Sequence, residues 1–285
     1  MGVNERILEK IEGWQQEEGS LPEVVEFYRD LLRAQVEAVA YIPTPQPDAT
    51  KAEIVAQIRQ GVPVLKWNAL PFDWSIFQNL FQKVAAIINE HTDSPSDNLK
   101  AAAGDIAFLK EVTKAWYENS SLSPLAEQQS IDEELLESAI HYALKPFLAA
   151  HAEALIGLVP QEQWRLRYCP ICGGKPDFAC LDTEKGARWL LCSRCDTEWL
   201  FQRLECPYCG NKDGEKLHYF SDDEGLYRLY VCQRCKSYLK AIDLRQTESE
   251  ILPPLERVMT ADMDRQGQEK GYRMGWVGTA SDDKR

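Results

Sequence analysis

The sequence Cys169-Pro170-Ile171-Cys172-Gly173 returns as Cys206-Pro207-Tyr208-Cys209-Gly210, and each copy is followed by one more Cys-x-x-Cys pair. The later pairs are Cys192–Cys195, 19 residues after the first pair, and Cys232–Cys235, 22 residues after the third. Eight of the nine cysteines therefore form two tandem units of four. These two units decide how the rest of the chain is organised.

The spacing of these cysteines is typical of metal sites. A Cys-x-x-Cys turn places two sulfur atoms on one side of a tight loop, and two facing loops offer four thiolates at the corners of a tetrahedron. Glycine permits the positive φ at which such a turn ends, which we expect at Gly173 and Gly210. Disulfides are the alternative. The sequence begins without an apolar signal segment, and reduced cytosolic thiols disfavour disulfides.

The composition and charge of the chain limit the classes of function that it can have. The chain has 285 residues and a net charge of −13, with 44% hydrophobic and 27% charged residues, as expected for a globular protein of one to three domains. Residues 160–245 carry 14 Lys and Arg against 13 Asp and Glu, so the cysteine-rich part lacks the basic surface that nucleic acid requires. No apolar run reaches membrane-spanning length, so we expect no membrane segment and a cytoplasmic location.

The fold class predicted is α+β and multidomain. Residues 1–160 show helical periodicity and are predicted to form an all-α domain, with 120–129 as a polar loop. Two ribbon modules follow at 161–204 and 205–245, and a helix with a tail at 246–285. The helix is expected over 250–271, and the polar tail, 279–285, is expected to be disordered.

The two modules follow one predicted plan of turn, loop, strand, turn and strand. Strands are expected at 188–191 and 226–231, before the second turn of each module, and at 197–201 and 238–242, after it. Each module is too small to bury a sufficient core. A bound metal ion is therefore expected to supply much of its folding free energy, on the order of 10 kcal/mol.

Segments around these cysteines resemble the formate dehydrogenase accessory protein family, FdhE. The resemblance rests on Arg167–Gly173, on Leu191–Trp199 with its Cys-Asp-Thr-Glu-Trp run, on Lys216–Tyr219 and on Cys232–Lys240. The tail segment 261–272 is also similar. The N-terminal half matches only as a helical region of suitable length.

The resemblance implies a cytoplasmic accessory factor and not an enzyme. Such a factor binds the molybdenum- or tungsten-containing catalytic subunit of formate dehydrogenase and is needed to form the active enzyme. Its modules are rubredoxin-like and hold two iron ions, with zinc as the alternative because both metals accept tetrahedral sulfur. The implied ligands are four cysteines for each ion: Cys169, Cys172, Cys192 and Cys195 for the first, and Cys206, Cys209, Cys232 and Cys235 for the second.

Two segments that carry the resemblance are candidates for partner binding, because metal binding does not demand them. They are Glu198 with Trp199, and His218 with Tyr219. The alternative makes Trp199 and Tyr219 core residues and Glu198 a solvated charge.

Two other functions compete with this hypothesis. One is a zinc-ribbon protein of the transcription or translation machinery, which the near-neutral ribbon region disfavours. The other is a thiol–disulfide or electron-transfer enzyme. Only Cys180 is left over for such chemistry, and it would need a lowered pKa, which Arg188 could provide if the fold brings it near.

Overall fold

A computed structural model describes residues 2–43, 49–70 and 72–275, and the predicted disordered tail, 279–285, lies outside these ranges. The described chain forms two compact units. One contains residues 2–43 and 66–150, and the other contains 49–65 and 151–275. The segment 49–65 falls inside the predicted helical domain but is grouped with the sheet. The domain boundaries given above stay a prediction.

The N-terminal region is helical, as predicted. Its helices are α1 (Val3–Glu18), α2 (Glu23–Val39), α3 (Lys51–Arg59), α4 (Trp74–Glu90), α5 (Asp97–Ala102), α6 (Ile106–Tyr117), α7 (Ser123–Gln129) and α8 (Glu133–Ile156). Helix α7 replaces the loop predicted over 120–129. Pro124 occupies its first turn, where a missing backbone N–H costs nothing, so proline starts this helix instead of interrupting it. Within the described residues, no helix combines the length and apolarity needed to cross a membrane.

The core of the first unit is made by the apolar stripes that the sequence shows. Leu31 and Leu32 of α2 and Phe77 and Phe81 of α4 are buried, and α2 packs against both α1 and α4. The ring of Phe147 stacks on that of Phe72 at 4.8 Å between centroids. These side chains therefore serve packing, as their helical spacing predicts.

The second unit is built on one mixed sheet. Its strands are β1 (Pro176–Leu181), β2 (Arg188–Cys192), β3 (Glu198–Phe201), β4 (Leu217–Ser221), β5 (Tyr227–Cys232), β6 (Ser237–Asp243) and β7 (Arg273–Met274). The strand order is β3-β2-β1-β6-β5-β4, and β7 pairs with β6. The helical region followed by this sheet confirms the predicted α+β class.

Each ribbon module contributes three strands, one more than the sequence predicts. Within a module the strands pair antiparallel, whereas β1 of the first module pairs in parallel with β6 of the second, in the register Phe178↔Lys240 to Leu181↔Asp243. The strands on both sides of the predicted 204/205 boundary thus belong to one sheet. Strand β1 is buried on both faces and β4 is exposed on both, so neither shows the alternation that marks a half-buried strand.

The C-terminal segment forms two helices instead of the single one predicted over 250–271. Helix α9 (Pro253–Met259) ends at Thr260, whose hydroxyl donates to the carbonyl of Glu256, and α10 (Ala261–Glu269) follows. Helix α10 is tied to β6 by an ion pair in which Lys240 is buried and Asp264 is partly exposed. The Nζ of Lys240 lies 2.6 Å from Asp264 Oδ2 and also donates to the carbonyl of Arg257 at 2.8 Å.

Replacing Asp264→Asn is expected to destabilise the protein strongly, because it leaves the buried ammonium of Lys240 without its counter-charge. The cost expected is about 3–5 kcal/mol. The matched control is Asp213→Asn, which breaks the exposed pair with Lys216 (3.5 Å) and should cost less than about 1 kcal/mol. Denaturant unfolding of both metal-loaded variants measures the difference. Equal costs would contradict a structural role for the pair of Lys240 and Asp264.

Candidate metal sites

The cysteines lie where the backbone turns sharply at the ends of strands. In each module the first pair occupies the loop that precedes the module's first strand. The second pair occupies the turn between two antiparallel strands. Cys192 ends β2 and Cys195 lies in the turn to β3, whereas Cys232 ends β5 and Cys235 lies in the turn to β6. The pairing of each hairpin therefore fixes where its sulfur atoms point.

The structure gathers the eight cysteines into two groups of four. The first four-cysteine group is Cys169, Cys172, Cys192 and Cys195, and the second is Cys206, Cys209, Cys232 and Cys235. Within each group all sulfur atoms lie within 4.8 Å of one another.

The distances between sulfur atoms fit a tetrahedral metal site. In the first group three pairs are separated by 3.4, 3.5 and 3.6 Å, and in the second two pairs are separated by 3.7 Å. A disulfide bond would need about 2.05 Å. Four sulfurs at about 2.3 Å from one ion lie about 3.8 Å apart. Each group could therefore hold one metal ion.

The backbone of the two groups repeats. All four turns end in a residue with positive φ: Gly173 (73°), Asp196 (56°), Gly210 (69°) and Lys236 (55°). The expected positive φ at the two glycines is thereby confirmed. In the matching first turns, the Gly173 N–H donates to the carbonyl of Cys169 and the Gly210 N–H to that of Cys206.

Backbone donors face the sulfur atoms of the first group. The N–H of Ile171 lies 3.4 Å from Cys169 Sγ, that of Gly174 lies 3.4 Å from Cys172 Sγ, and that of Arg194 lies 3.4 Å from Cys192 Sγ. Such hydrogen bonds stabilise a thiolate over a thiol. A Cβ at Gly174 would lie 2.9 Å from Cys192 Sγ, so only glycine fits there.

The electrostatics of the groups also call for a cation. Burial raises the pKa of Cys169 well above that of a free thiol, and burial raises the pKa of Cys209 to about 11. Cys235 shifts the other way, because a hydrogen bond from Cys206 lowers its pKa to about 4. Four buried thiolates cannot coexist without a compensating charge, so binding a divalent ion would release protons from the remaining thiols.

The first group is covered by a segment distant in sequence. The N–H groups of Val64 and Leu65 donate to the carbonyls of Pro170 and Ile171, each at 2.9 Å, and the hydroxyl of Tyr168 donates to the carbonyl of Gly61 at 2.7 Å. All four cysteines of this group are buried. Sequence reasoning missed this cover, for which the helix break at Gly61 and Pro63 is the only local signal.

The Cys-Asp-Thr-Glu-Trp run has a structural account at the first group. The Thr197 hydroxyl lies 3.1 Å from Cys195 Sγ, where it can donate to a thiolate. The guanidinium of Arg257 in α9 pairs with Asp196 at 3.0 Å and with Asp177 of β1 at 3.2 Å, so it holds the turn against the sheet. Neither Thr197 nor Arg257 was predicted to belong to the site.

The second group is more open. Cys206 and Cys232 are buried, but Cys209 and Cys235 are partly exposed. A side-chain amide joins this group, since Asn211 Nδ2 lies 3.8 Å from Cys232 Sγ. The two groups thus share a backbone plan but differ in access to solvent.

Cys180 lies in neither group. It is buried on β1 in an apolar cluster with Phe178, Leu191 and Ile242. Burial raises the pKa of its thiol, which is the opposite of what a redox nucleophile needs. The structure therefore places Cys180 in the core of the sheet.

The partner-binding candidates fall on two different strands and do not form one cluster. Glu198 is exposed at the start of β3, but Trp199 beside it is fully buried and donates from Nε1 to the carbonyl of Leu166 at 2.9 Å. His218 and Tyr219 are exposed on β4, where Tyr219 keeps 53% of its surface. Trp199 therefore acts in the core, whereas the other three side chains reach the surface.

Together these features define a class of protein: an α-helical region followed by one sheet that carries two four-cysteine groups. The family described as "FdhE, central domain" matches residues 168–203, which hold the first group. Protein FdhE homolog from Aquifex aeolicus is 29% identical over 254 residues, covering 88% of this chain and 85% of the relative. Protein FdhE from Shigella boydii serotype 18 is 26% identical over 265 residues, covering 90% and 81%.

The same fold occurs in a solved structure. The crystal structure of the FdhE protein from Pseudomonas aeruginosa matches with a TM-score of 0.58 and 20% identity, over 97% of this chain and 92% of that one. The resemblance that the cysteine segments predicted is confirmed over most of the chain. This chain is similar to the FdhE proteins over most of its length.

Chelator treatment is expected to remove metal in two phases, because the second group exposes two of its cysteines and the first exposes none. The fast phase should belong to the second group. It should disappear in Cys232→Ser, and the slow phase should disappear in Cys192→Ser, when metal release is followed with a chromogenic chelator. A single rate for the wild-type protein would show that burial does not control release.

Proposed function

We propose that this protein is an accessory factor that binds the catalytic subunit of formate dehydrogenase and is needed to form the active enzyme. The observation that carries the proposal is the pairing of two four-cysteine groups on one sheet, in a chain that matches FdhE proteins over 81–85% of their length. Its place of action is the cytoplasm, and its partner is the molybdenum- or tungsten-containing subunit. Neither nucleic acid nor a membrane takes part.

The proposed role is that of a binding protein and not of an enzyme. Each four-cysteine group supplies four protein ligands, which fills a tetrahedral ion and leaves no position for a substrate. The raised pKa of Cys180 argues against thiol chemistry at the ninth cysteine. Activity therefore resides in the partner, and this chain contributes contacts to it.

We propose that each group holds one iron ion in rubredoxin-like coordination, with zinc as the alternative. The first ion would be held by Cys169, Cys172, Cys192 and Cys195, and the second by Cys206, Cys209, Cys232 and Cys235. Iron would supply a one-electron redox centre at each group, whereas zinc would be redox-inert. The backbone N–H groups that face the sulfurs of the first group stabilise the thiolates in either case.

Elemental analysis of protein isolated without oxygen is expected to give two iron ions per chain, together with the visible absorption of ferric thiolate after mild oxidation. Cys192→Ser and Cys232→Ser should each reduce the count to one. Two zinc ions per chain in protein from iron-replete cells would overturn the assignment to iron while leaving both sites in place.

For docking we propose the exposed members of the candidate set: Glu198 on β3, and His218 and Tyr219 on β4. Strand β3 is partly covered on its outer side, where Gln161 Nε2 donates to the carbonyl of Glu198 at 3.3 Å. Strand β4 ends the strand order, and among the described residues no further strand pairs with it. His218 and Tyr219 are therefore the more accessible pair.

Affinity purification of the tagged protein from its native cells, without oxygen, is expected to recover a formate dehydrogenase catalytic subunit, identified by mass spectrometry. Cys192→Ser should abolish capture, because it removes a ligand of the first site. His218→Ala and Glu198→Ala should weaken capture at unchanged metal content. Tyr41→Phe, an exposed residue of the helical unit, serves as the control.

The outcome that would contradict the proposal is recovery of ribosomal or polymerase proteins in place of the dehydrogenase subunit. If the subunit is recovered but both surface variants capture it fully, the accessory role stands and docking uses a different surface.

A further inference from the structure

The second four-cysteine group is held on one side by a side chain of the first module. Arg188 of β2 donates from Nη2 to the carbonyls of Gln202 and Glu205, the latter at 2.6 Å. Strand β3 ends at Phe201, so these carbonyls belong to the connection between the two modules. Glu205 directly precedes Cys206 in the chain. One side chain therefore fixes the point at which the chain enters the second group.

The first cysteine turn of the second group has two more contacts with the first module. Arg167 donates from Nη1 to the carbonyl of Tyr208 at 2.6 Å, and the hydroxyl of Tyr208 donates to the carbonyl of Pro176 at 3.0 Å. Tyr208 lies between Cys206 and Cys209 in this turn. The first module thus positions the turn that carries two of the four sulfur atoms.

Arg188 brings a buried charge as well as hydrogen bonds. Only 2% of its surface is exposed, and its guanidinium lies 5.3 Å from the ring centre of Phe201 and 5.7 Å from that of Tyr230. Carbonyl groups hold the guanidinium in place but do not neutralise it, and in the described part of the chain no carboxylate pairs with it. Buried charges are normally paired, so a compensating negative charge is expected beside it.

The cysteines of the second group supply that charge. Arg188, Cys206 and Cys232 line the same cavity of about 180 Å³. Burial lowers the pKa of Arg188 to about 10, while the charges of Tyr230 and Cys206 act in the opposite direction. Four thiolates around one divalent ion leave two negative charges uncompensated, and a buried cation stabilises them more than an exposed one does. Arg203 also lines the cavity but is exposed, so water screens its charge.

We propose that Arg188 is a positioning residue of the second metal site: its hydrogen bonds place Cys206, and its charge offsets part of the negative charge of the thiolates around the ion. Arg188 stabilises the bound ion without being a ligand, and through it the first module sets the metal affinity of the second. The inference rests on the proposal that the second group holds an ion. It depends neither on which ion is resident nor on the partner protein.

The test is competition for Zn²⁺ between the metal-loaded full chain and a chromogenic chelator, with the two ions assigned by Cys192→Ser and Cys232→Ser. Arg188→Met removes the charge and the hydrogen bonds, so the second group should bind its ion about 10- to 100-fold more weakly. The ion of the first group should be held as in the wild type, which shows that the variant folds. Arg188→Lys keeps the charge and should restore most of the lost affinity. The matched control, Arg203→Met, removes an exposed cation of the same cavity and should bind as the wild type does.

A second readout separates the charge of Arg188 from a merely structural role. The full chain is reconstituted with ferrous iron and titrated potentiometrically, so the result does not depend on the resident ion. The ferrous centre carries one negative charge more than the ferric centre, and a nearby cation therefore favours reduction. Arg188→Met should lower the reduction potential of the second centre, whereas Arg188→Lys should leave it near the wild-type value.

Equal Zn²⁺ affinities of the second group in the wild type and in Arg188→Met would overturn the proposal. Equal weakening of both groups would also overturn it, because Arg188 would then support the fold in general. So would an Arg188→Lys variant that matches Arg188→Met in both affinity and potential. Wild-type protein that binds no ion at the second group would overturn the proposed metal site itself, and this inference with it.

Discussion

Eight thiols held in two clusters, the first buried and the second partly exposed, impose the constraint on which the sheet-containing unit depends. Burial raises the pKa of Cys169, so a cluster of four thiolates is stable only with a cation among them. The same clusters join the ends of hairpins whose strands share a buried core within one sheet. A bound ion therefore links the folding of each module to its charge, and loss of the ion would release both the thiolates and the strands that carry them.

The two groups are copies in backbone but not in surroundings. The turns repeat down to their positive φ values and their hydrogen bonds, as expected for duplicated ribbons. The first group gains a cover from Val64 and Leu65 and an ion pair from Arg257, whereas the second leaves Cys209 and Cys235 partly open. The first group is therefore closed to solvent. The second lies close to Arg188 and to the exposed strand β4.

The candidate segments divide into side chains that are buried in the fold and side chains that remain at the surface. Trp199 is in the core, where its indole N–H satisfies the carbonyl of Leu166, and Thr197 faces a cysteine sulfur. Four residues of the Cys-Asp-Thr-Glu-Trp run, Cys195, Asp196, Thr197 and Trp199, thus support the fold and its candidate metal site, and Glu198 is the one whose side chain stays exposed. On β4, His218 and Tyr219 stay exposed, and the Tyr219 ring lies 5.6 Å from that of Tyr230. Among the described strands β4 lies at the edge of the sheet and carries aromatic side chains, and proteins usually protect such an edge, which is consistent with the proposed docking role.

The cysteine spacing by itself determined that there are two four-cysteine groups, which residues form them and that glycine ends the first turn of each, because these features are local and follow from turn geometry. Helical periodicity likewise predicted the N-terminal region. Tertiary structure alone decided that β1 and β6 pair and merge the modules into one sheet, because β1 is buried on both faces and has no alternating pattern. Tertiary structure also decided which four-cysteine group is covered, and it placed Arg188 beside the second group. These contacts join segments that are far apart in sequence, so they leave no periodic signal.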